Sequence, residues 1–348
     1  MRRNRFGNML LVAFATLAVL AGGVALAQEQ VGDIEGVVTD KDGAALPGVT
    51  VESEGPLGAR VAVTDVNGVF RFPNLRSGVY KLTAKLDGFV TAEVPGVDLQ
   101  LGKTLRVNFT LQPGTFEDTI TVAADTVAID VTKTQTATSI SREEITLLPR
   151  GRDFTDVVPL AAGAANEQQA GGISIDGSSG SENRFVIDGI DTTDPQDGTS
   201  AVPMRADFIE EVQVKSAGYA AEYGGSTGGV INAITKSGGN EFHGAVLAQY
   251  EDISWNGSSR PVLELNLDDP LIAEYNTYDK DDETRIDPGF YISGPILKDK
   301  LWFFGSYQPG LRDTERTVTF TDGVTDTFSQ DFQVDYAAAN LTANFGSV

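Results

Sequence analysis

The sequence contains no cysteine and a single histidine, His243. Without cysteine the chain cannot build a disulfide framework, a thiolate zinc site or a cysteine nucleophile. One histidine excludes sites built on several imidazoles. Pairs of acidic residues are abundant, but none stands in a recognisable catalytic context. We therefore expect no cofactor, no metal site and no enzymatic activity.

Basic residues are also scarce. The chain has 26 Lys and Arg residues against 49 Asp and Glu residues, which gives a formal net charge of -23. Three of the basic residues, Arg2, Arg3 and Arg5, lie in a segment that we predict to be removed, so the remaining chain is more acidic still. Such a chain is not expected to bind nucleic acid through its charge.

Long apolar runs are absent beyond the first 27 residues, so no segment reaches the about 20 apolar residues of a membrane-spanning helix. Residues 1–27 combine a positive start, the apolar run Met9–Ala21 and the A-x-A site Ala25-Leu26-Ala27. This pattern is typical of a secretory signal peptide and predicts cleavage after Ala27. If the mature protein lies in a membrane, it must be a β-barrel.

Glycine is frequent, with 38 residues, and favours a chain of strands and turns. Between Ile34 and Leu111, short β-prone runs alternate with the turn signals Asp42-Gly43, Asn67-Gly68 and Ser77-Gly78. The spacing predicts an antiparallel β-sandwich over residues 31–112. Its predicted core consists of alternating apolar residues: Val37, Val49, Val51, Val63, Phe70, Phe72, Leu75, Tyr80 and Leu82.

Four segments of this region resemble the carboxypeptidase regulatory-like domain: Gly36–Asp40, Pro47–Val51, Thr64–Phe70 and Leu75–Tyr80. The resemblance implies an Ig-like β-sandwich. It does not imply a peptidase, because the segment has no histidine to hold zinc. Some similar domains bind carbohydrate, but exposed binding aromatics are missing here, so a structural or docking module is favoured.

Residues 113–125 follow as a linker that starts with Pro113-Gly114. Within it lies a β-prone heptad that resembles the TonB box of outer-membrane receptors. The resemblance implies strand addition to a TonB-type periplasmic energy transducer. A further sandwich strand and a plain linker are the alternatives. Because Pro113-Gly114 detaches the heptad from the sandwich, we expect it to be exposed and unpaired. Its residues are Asp118, Thr119, Ile120, Thr121, Val122, Ala123 and Ala124.

Residues 126–242 mix short elements with glycine turns. Ser141–Glu144 reads as a capping box that opens a helix to Leu148, and Asp153–Leu160 predicts a second helix. The region resembles the plug domain of TonB-dependent receptors, which implies a small α+β unit inside a pore. The motif residues that carry the resemblance include Asp188, Gly189, Tyr223, Gly224, Gly228, Gly229 and Asn232.

Two features qualify this resemblance. Asp176 and Lys215-Ser216 stand where related plugs often carry arginines that pair with barrel glutamates, so we expect that ion-pair scheme to be altered. Gly224–Gly229 could instead be a phosphate-binding loop, but the lysine of that motif and a crossover helix are missing.

Residues 243–348 contain the predicted strands Gly244–Asp252, Gly289–Pro295 and Leu301–Gln308. Near the end, polar and apolar residues alternate as in transmembrane barrel strands. About four or five strands cannot close a barrel, so we expect the N-terminal part of a longer receptor. The alternation sets Asn340, Thr342 and Asn344 against Leu341, Ala343 and Phe345, and an interfacial aromatic girdle is predicted at Trp302, Phe303, Phe304 and Tyr307.

The segment Glu251–Pro288 holds 11 acidic and 3 basic residues and reads as a long external loop. Asp279, Asp281, Asp282 and Glu283 could ligate calcium. Their spacing fits no EF-hand loop, so a solvated acidic loop is favoured.

Together these resemblances imply TonB-dependent active transport of a scarce solute across the outer membrane of a Gram-negative bacterium. The sandwich would lie in the periplasm, the barrel would contact outer-membrane lipid, and the solute could be a siderophore, a glycan or a peptide. The alternative is a secreted or surface β-sandwich that binds carbohydrate or mediates adhesion, which would need neither plug motifs nor membrane strands.

Overall fold

The computed structural model describes residues 31–114, 119–121, 135–148, 151–167, 171–266, 269, 271–277, 280–320 and 323–344. The predicted signal peptide lies outside these residues. Within the described part of the chain, no helix is long and apolar enough to cross a membrane. The elements fall into three successive regions: a sandwich, a mixed unit and a sheet of long strands.

The sandwich consists of two sheets of short strands. One sheet has the order β4-β1-β7, with β8 also on β1, and the other has the order β3-β2-β5-β6-β9. The predicted sandwich is confirmed, although β7, β8 and β9 each pair in parallel. The strands are β1 (Gly32–Asp40), β2 (Thr50–Gly55), β3 (Gly58–Val63), β4 (Val69–Leu75), β5 (Gly78–Lys85), β6 (Thr91–Leu99), β7 (Thr104–Arg106), β8 (Phe109–Leu111) and β9 (Thr119–Thr121).

Most of the predicted sandwich core is confirmed, but two residues are wrong. Val37 is only half-buried, because β1 directs the alternate residues Ile34 and Val38 into the core. Val63 is 61% exposed. It lies on the edge strand β3 opposite exposed Thr50, on the outer face of the sheet. Alternation identifies a strand, whereas the pairing decides which face is buried.

The expectation that the TonB-box-like heptad is unpaired is wrong for Thr119–Thr121. Pro113-Gly114 does not release the chain, since the Gly114 N–H donates to the Gly88 carbonyl over 3.1 Å. The next described residues form β9, which pairs in parallel with Thr91–Glu93 of β6. The open edge of β6 thus accepts the segment. The other heptad residues, Asp118 and Val122–Ala124, lie outside the described part of the chain.

The second region is a small α+β unit around a five-stranded sheet of order β10-β15-β16-β13-β14. Its single described α-helix begins after Ser141, whose capping box with Glu144 is present as predicted. The predicted second helix is a 3-10 helix, Phe154–Leu160, with Pro159 inside it. The elements are β10 (Thr136–Ser141), α1 (Arg142–Leu147), β11 (Ala164–Asn166), β12 (Ile173–Ile175), β13 (Arg184–Ile187), β14 (Ile190–Asp191), β15 (Ile209–Ala217) and β16 (Val230–Thr235), with 3-10 turns at Gly180–Glu182, Ala206–Phe208 and Ala221–Tyr223.

The third region is an antiparallel sheet of order β17-β20-β21-β22. Its strands exceed the predicted lengths, and part of the expected acidic loop is structured, because β20 begins at Asp282 and a separate hairpin joins β18 to β19. The strands are β17 (His243–Asp252), β18 (Val262–Leu265), β19 (Ala273–Asn276), β20 (Asp282–Leu297), β21 (Leu301–Thr319) and β22 (Thr325–Ala343), with a 3-10 turn at Ile253–Trp255.

The long strands present one polar and one apolar face. On β22, Asn340 and Thr342 are half-buried, whereas Leu341 between them is 62% exposed. The predicted aromatic girdle needs correction, since Trp302 and Phe304 are buried and point away from the exposed face. Successive side chains of a strand point to opposite faces, so a run of aromatic residues cannot form one belt.

Candidate functional site: the plug–barrel contact

Two arginines of the α+β unit lie side by side through their backbones. The Ala206 N–H donates to the Arg152 carbonyl over 3.0 Å, and Asp153 forms a β-bridge with Arg205. Arg205 is fully buried. Its Nη1 lies 3.1 Å from Asp153 Oδ1, and its Nη2 lies 3.5 Å from Asp287 Oδ2 on β20. The α+β unit is thereby joined to the long sheet.

Asp287 is shared by both arginines. It is fully buried and also pairs with Arg152, whose Nη2 lies 3.1 Å from Glu251 Oε2 at the end of β17. Burial raises the pKa of Asp153, against the opposing effect of Arg205, and burial lowers the pKa of Arg152. Buried charges cost several kcal/mol unless they are paired, so this cluster is stable only while the two regions stay in contact.

These ion pairs do not use the positions that the sequence singled out. Lys215 is buried inside the α+β unit, where its Nζ lies 3.0 Å from Tyr223 Oη and 4.2 Å from the centre of that ring. Asp176 lies in an exposed turn with φ of 51°. The ion pairs that join the unit to the long sheet use Arg152 and Arg205, which the sequence analysis did not single out.

The Asp188-Gly189 motif stabilises the end of β13. The carboxylate of Asp188 accepts hydrogen bonds from the Thr235 N–H over 2.9 Å and from its Oγ1 over 2.6 Å. Thr235 Oγ1 in turn accepts from Asn340 Nδ2 of β22 over 3.2 Å. Gly189 has φ of 77°, a conformation open to glycine. This motif thus connects two strands of the unit and also reaches the long sheet.

The glycine-rich segment packs against its own unit. The Gly229 N–H donates to Asn183 Oδ1 over 2.9 Å, and a Cβ on Gly228 would lie only 2.6 Å from the same oxygen. Tyr223 and Asn232 are buried. The backbone groups of the segment are used internally, which argues against a phosphate-binding loop. Tyr223, Gly228, Gly229 and Asn232 are thus buried in the interior of the unit, whereas Gly224 is exposed.

The acidic loop is described only in part, and one of its carboxylates is held by an arginine. Asp281 is engaged by Arg316, with Nε 2.9 Å from Oδ1. Asp279 lies outside the described residues. Among the residues that the structure describes, no group of three or more histidine, aspartate or glutamate side chains is arranged to hold a metal ion.

A cleft of about 1130 Å³ opens where all three regions meet. Arg76 of the sandwich lies in it and donates from Nη1 to Thr342 Oγ1 of β22 over 2.9 Å. Burial lowers the pKa of Arg76, which Asp188 and Glu210 partly offset. Burial also raises the pKa of nearby Tyr80 to about 12. The sandwich is thus in contact with both other regions.

Each region matches a known domain family. Residues 33–112 match the carboxypeptidase regulatory-like domain, residues 130–230 the TonB-dependent receptor plug domain and residues 234–342 an outer membrane beta barrel domain. This domain order is that of a TonB-dependent outer-membrane receptor with an N-terminal carboxypeptidase regulatory-like domain. The matches indicate that the protein is located in the outer membrane of a Gram-negative bacterium. The α+β unit is hereafter called the plug and the long sheet the barrel sheet.

Among characterised proteins, the chain is 35% identical over 313 residues to the TonB-dependent transporter Oar of Myxococcus xanthus, which covers 86% of this chain and 28% of the relative. It is 31% identical over 195 residues to the probable TonB-dependent siderophore receptor PirA of Acinetobacter baumannii, over 48% of this chain and 22% of the relative. The chain therefore spans less than a third of either relative. A crystal structure of the outer membrane transporter YddB from Escherichia coli is 19% identical over 61% of this chain and 31% of its own, with a TM-score of 0.48.

Proposed function

We propose that this chain serves in TonB-dependent active transport of a scarce solute across the outer membrane. The observation that carries the proposal is a plug held against barrel strands by buried ion pairs, behind a segment that resembles a TonB box. An energised pull on that segment would displace or remodel the plug and open a path for the solute. A secreted adhesion module would need neither the plug nor the barrel sheet.

The recruiting segment in this proposal is Asp118–Ala124, and the partner is a TonB-type periplasmic transducer. Strand addition requires backbone N–H groups along one strand edge. The pairing of Thr119–Thr121 with β6 shows that this backbone readily adopts a strand. One edge of β9 pairs with β6, and among the described residues no strand pairs with the other edge.

The solute would be taken from the siderophore, glycan or peptide classes. The resemblance to a probable siderophore receptor favours the first of these. Uptake assays with a ferric siderophore, an oligosaccharide and a peptide, each with and without an active transducer, would separate the classes. A solute that binds and enters only in energised cells is the expected result.

The decisive test is a proline scan in the intact receptor. Ile120→Pro removes a backbone donor and fixes φ, so we expect loss of transducer binding and of energised uptake, with solute binding retained. Ile120→Val preserves the donor and the β-propensity and should behave as the wild type. Ala128→Pro places the same proline past the linker, between the heptad and β10, and should also be tolerated.

Unchanged transducer binding by Ile120→Pro would overturn the assignment of the heptad. Equal losses for Ile120→Pro and Ala128→Pro would show that the connection between the sandwich and β10 merely has to be flexible. Melting of the sandwich is measured alongside, because β9 pairs with β6. A large drop in melting temperature without loss of uptake would make the segment a structural strand.

A further inference from the structure

The sandwich contacts the rest of the molecule through one of its ends. The turns between β2 and β3, between β4 and β5, and between β6 and β7 all contribute residues to the cleft that the plug and the barrel sheet also line. At the first turn, a Cβ on Gly58 would lie 2.7 Å from Asp299 Oδ1 of the barrel sheet. At the second, Arg76 reaches Thr342. The strand β9 lies toward the opposite end, beside the start of β6.

The third turn is held by a polar clamp from the plug. The N–H of Leu101 donates to Glu211, with distances of 3.0 Å to Oε1 and 3.2 Å to Oε2. The carbonyl of the same residue accepts from Gln213 Nε2 over 2.8 Å. Glu211 and Gln213 both belong to β15. The clamp binds both the N–H and the carbonyl of one sandwich residue, so it fixes the position of Leu101 relative to β15.

The clamp is buried on all sides. Leu101 is fully buried, and its backbone hydrogen bonds place it against β15 of the plug. Glu211 and Gln213 are 3% and 1% exposed. Removing one partner from a buried hydrogen bond leaves the other unsatisfied, which is costly. The clamp therefore resists separation of the two domains more than a surface contact would.

The two segments that flank the TonB-box-like strand differ in length. Residues 115–118 join the TonB-box-like strand to Gly114 at the end of the sandwich, a span of at most about 17 Å when extended. Residues 122–135 join it to β10 of the plug, a span of up to about 50 Å. The connection to the sandwich is the shorter of the two, and β9 is itself paired with β6, so a pull applied to the strand acts on the sandwich.

We propose that the sandwich is a mechanical coupler that transmits the transducer's force to the plug. Glu211 and Gln213 are the plug residues that receive this force, through their hydrogen bonds to Leu101. The proposal rests on the proposed function. Tension passes from the pulled segment to the sandwich, then through the clamp to β15. Because β15 lies between β10 and β16, its displacement loosens the plug sheet. In this scheme Glu211 and Gln213 transmit force to β15 and have no contact with the solute. They are therefore positioning residues.

The test compares E211A/Q213A with E143Q in the intact receptor. The first variant removes the clamp and one negative charge. E143Q removes one negative charge from the same cleft, and Glu143 is exposed and lies on α1, not on β15. For the clamp variant we expect energised uptake to fall about tenfold, within the usual range of coupling effects between sites, while solute binding and transducer binding stay unchanged. E143Q should match the wild type.

Two introduced cysteines, V79C in the sandwich and L147C in the plug, are used to measure docking of the sandwich on the plug and to test whether uptake can be restored. Both positions are exposed and line the cleft, and this chain has no cysteine of its own. Spin labels at these positions should report one narrow distance in the wild type and a broad distribution in E211A/Q213A. A bifunctional thiol reagent that joins the two positions should restore uptake in the clamp variant.

Loss of docking with unchanged uptake would overturn the coupler. A rise in uptake by the clamp variant would also overturn the proposal, because the sandwich would then restrain the plug and would have to be released. A further fall in uptake after cross-linking V79C to L147C would overturn it as well. If the clamp variant loses solute binding, E211Q, which keeps the side-chain volume, replaces it in the same comparison. Failure of the proposed function is distinguishable, because uptake would then be independent of the transducer in the wild type and in Ile120→Pro.

Discussion

The guanidinium carbon of Arg205 lies 3.8 Å from the centre of the Tyr336 ring, so a buried cation of the plug rests on an aromatic side chain of the barrel sheet. The same guanidinium faces Asp287. Arginine suits this position because its flat cation can stack on a ring and pair with carboxylates at once. The plug is therefore held by directional contacts that a small displacement would break.

Arg205→Ala should destabilise the plug in the intact receptor. The change leaves the buried carboxylate of Asp287 with fewer cationic partners, and breaking a buried pair costs about 3–5 kcal/mol. Arg205→Lys keeps the charge but loses the stacking and should give an intermediate effect. The urea midpoint of plug unfolding is the measurement. Equal midpoints for Arg205→Ala and the wild type would contradict the role of this cluster.

Phe72→Ala should destabilise the sandwich by about 3–5 kcal/mol, the usual cost of removing a buried phenyl ring. Phe72 is buried and its ring contacts Phe70 at 5.9 Å between centroids. Val63→Ala, on the exposed face, should change stability by no more than about 0.5 kcal/mol. Thermal unfolding of residues 31–112 gives both values. A broad transition in the unmodified segment would speak against an independent domain.

Docking of the sandwich should weaken as the pH rises. Burial raises the pKa of Glu211 above its ordinary value of 4.5, aided slightly by Asp98 and opposed by hydrogen bonds from Leu101, Ser139 and Ser77. We expect the docked state to bind more protons than the released state, because release from the sandwich would return the Glu211 carboxyl to water. Docking is strongest at a pH below the ordinary pKa of Glu211. The stabilisation of the docked state by this carboxyl is lost as the pH rises through its raised pKa, and the docking equilibrium constant falls by at most about tenfold per pH unit.

Spin-label distances between V79C and L147C measure this effect in a Gln213→Ala background, where docking is already weakened. The docked fraction should fall with pH in that background. Adding Glu211→Gln should abolish the slope, whereas adding Glu143→Gln should leave it intact. A slope that persists without the Glu211 carboxyl would assign the pH dependence to another group.

Local patterns were sufficient to predict some of the elements. The capping box at Ser141–Glu144 defined a helix, since a cap depends only on residues within one turn. The alternation around Asn340–Thr342 predicted the polar and apolar faces of β22, since these follow from the two-residue period of a strand. Patterns failed where two faces were equally apolar, as with Val37 beside Val38, because the choice of face belongs to the pairing of β1.

The sequence by itself therefore determined the order of the three domains, several of their strands and the segment that resembles a TonB box. Only the tertiary structure decided that Thr119–Thr121 pairs with β6, that Glu211 and Gln213 grip Leu101, and that Arg152 and Arg205 meet Asp287. Each of these contacts joins residues that are distant in the chain. Their energy depends on burial and geometry that exist only once the domains have packed together.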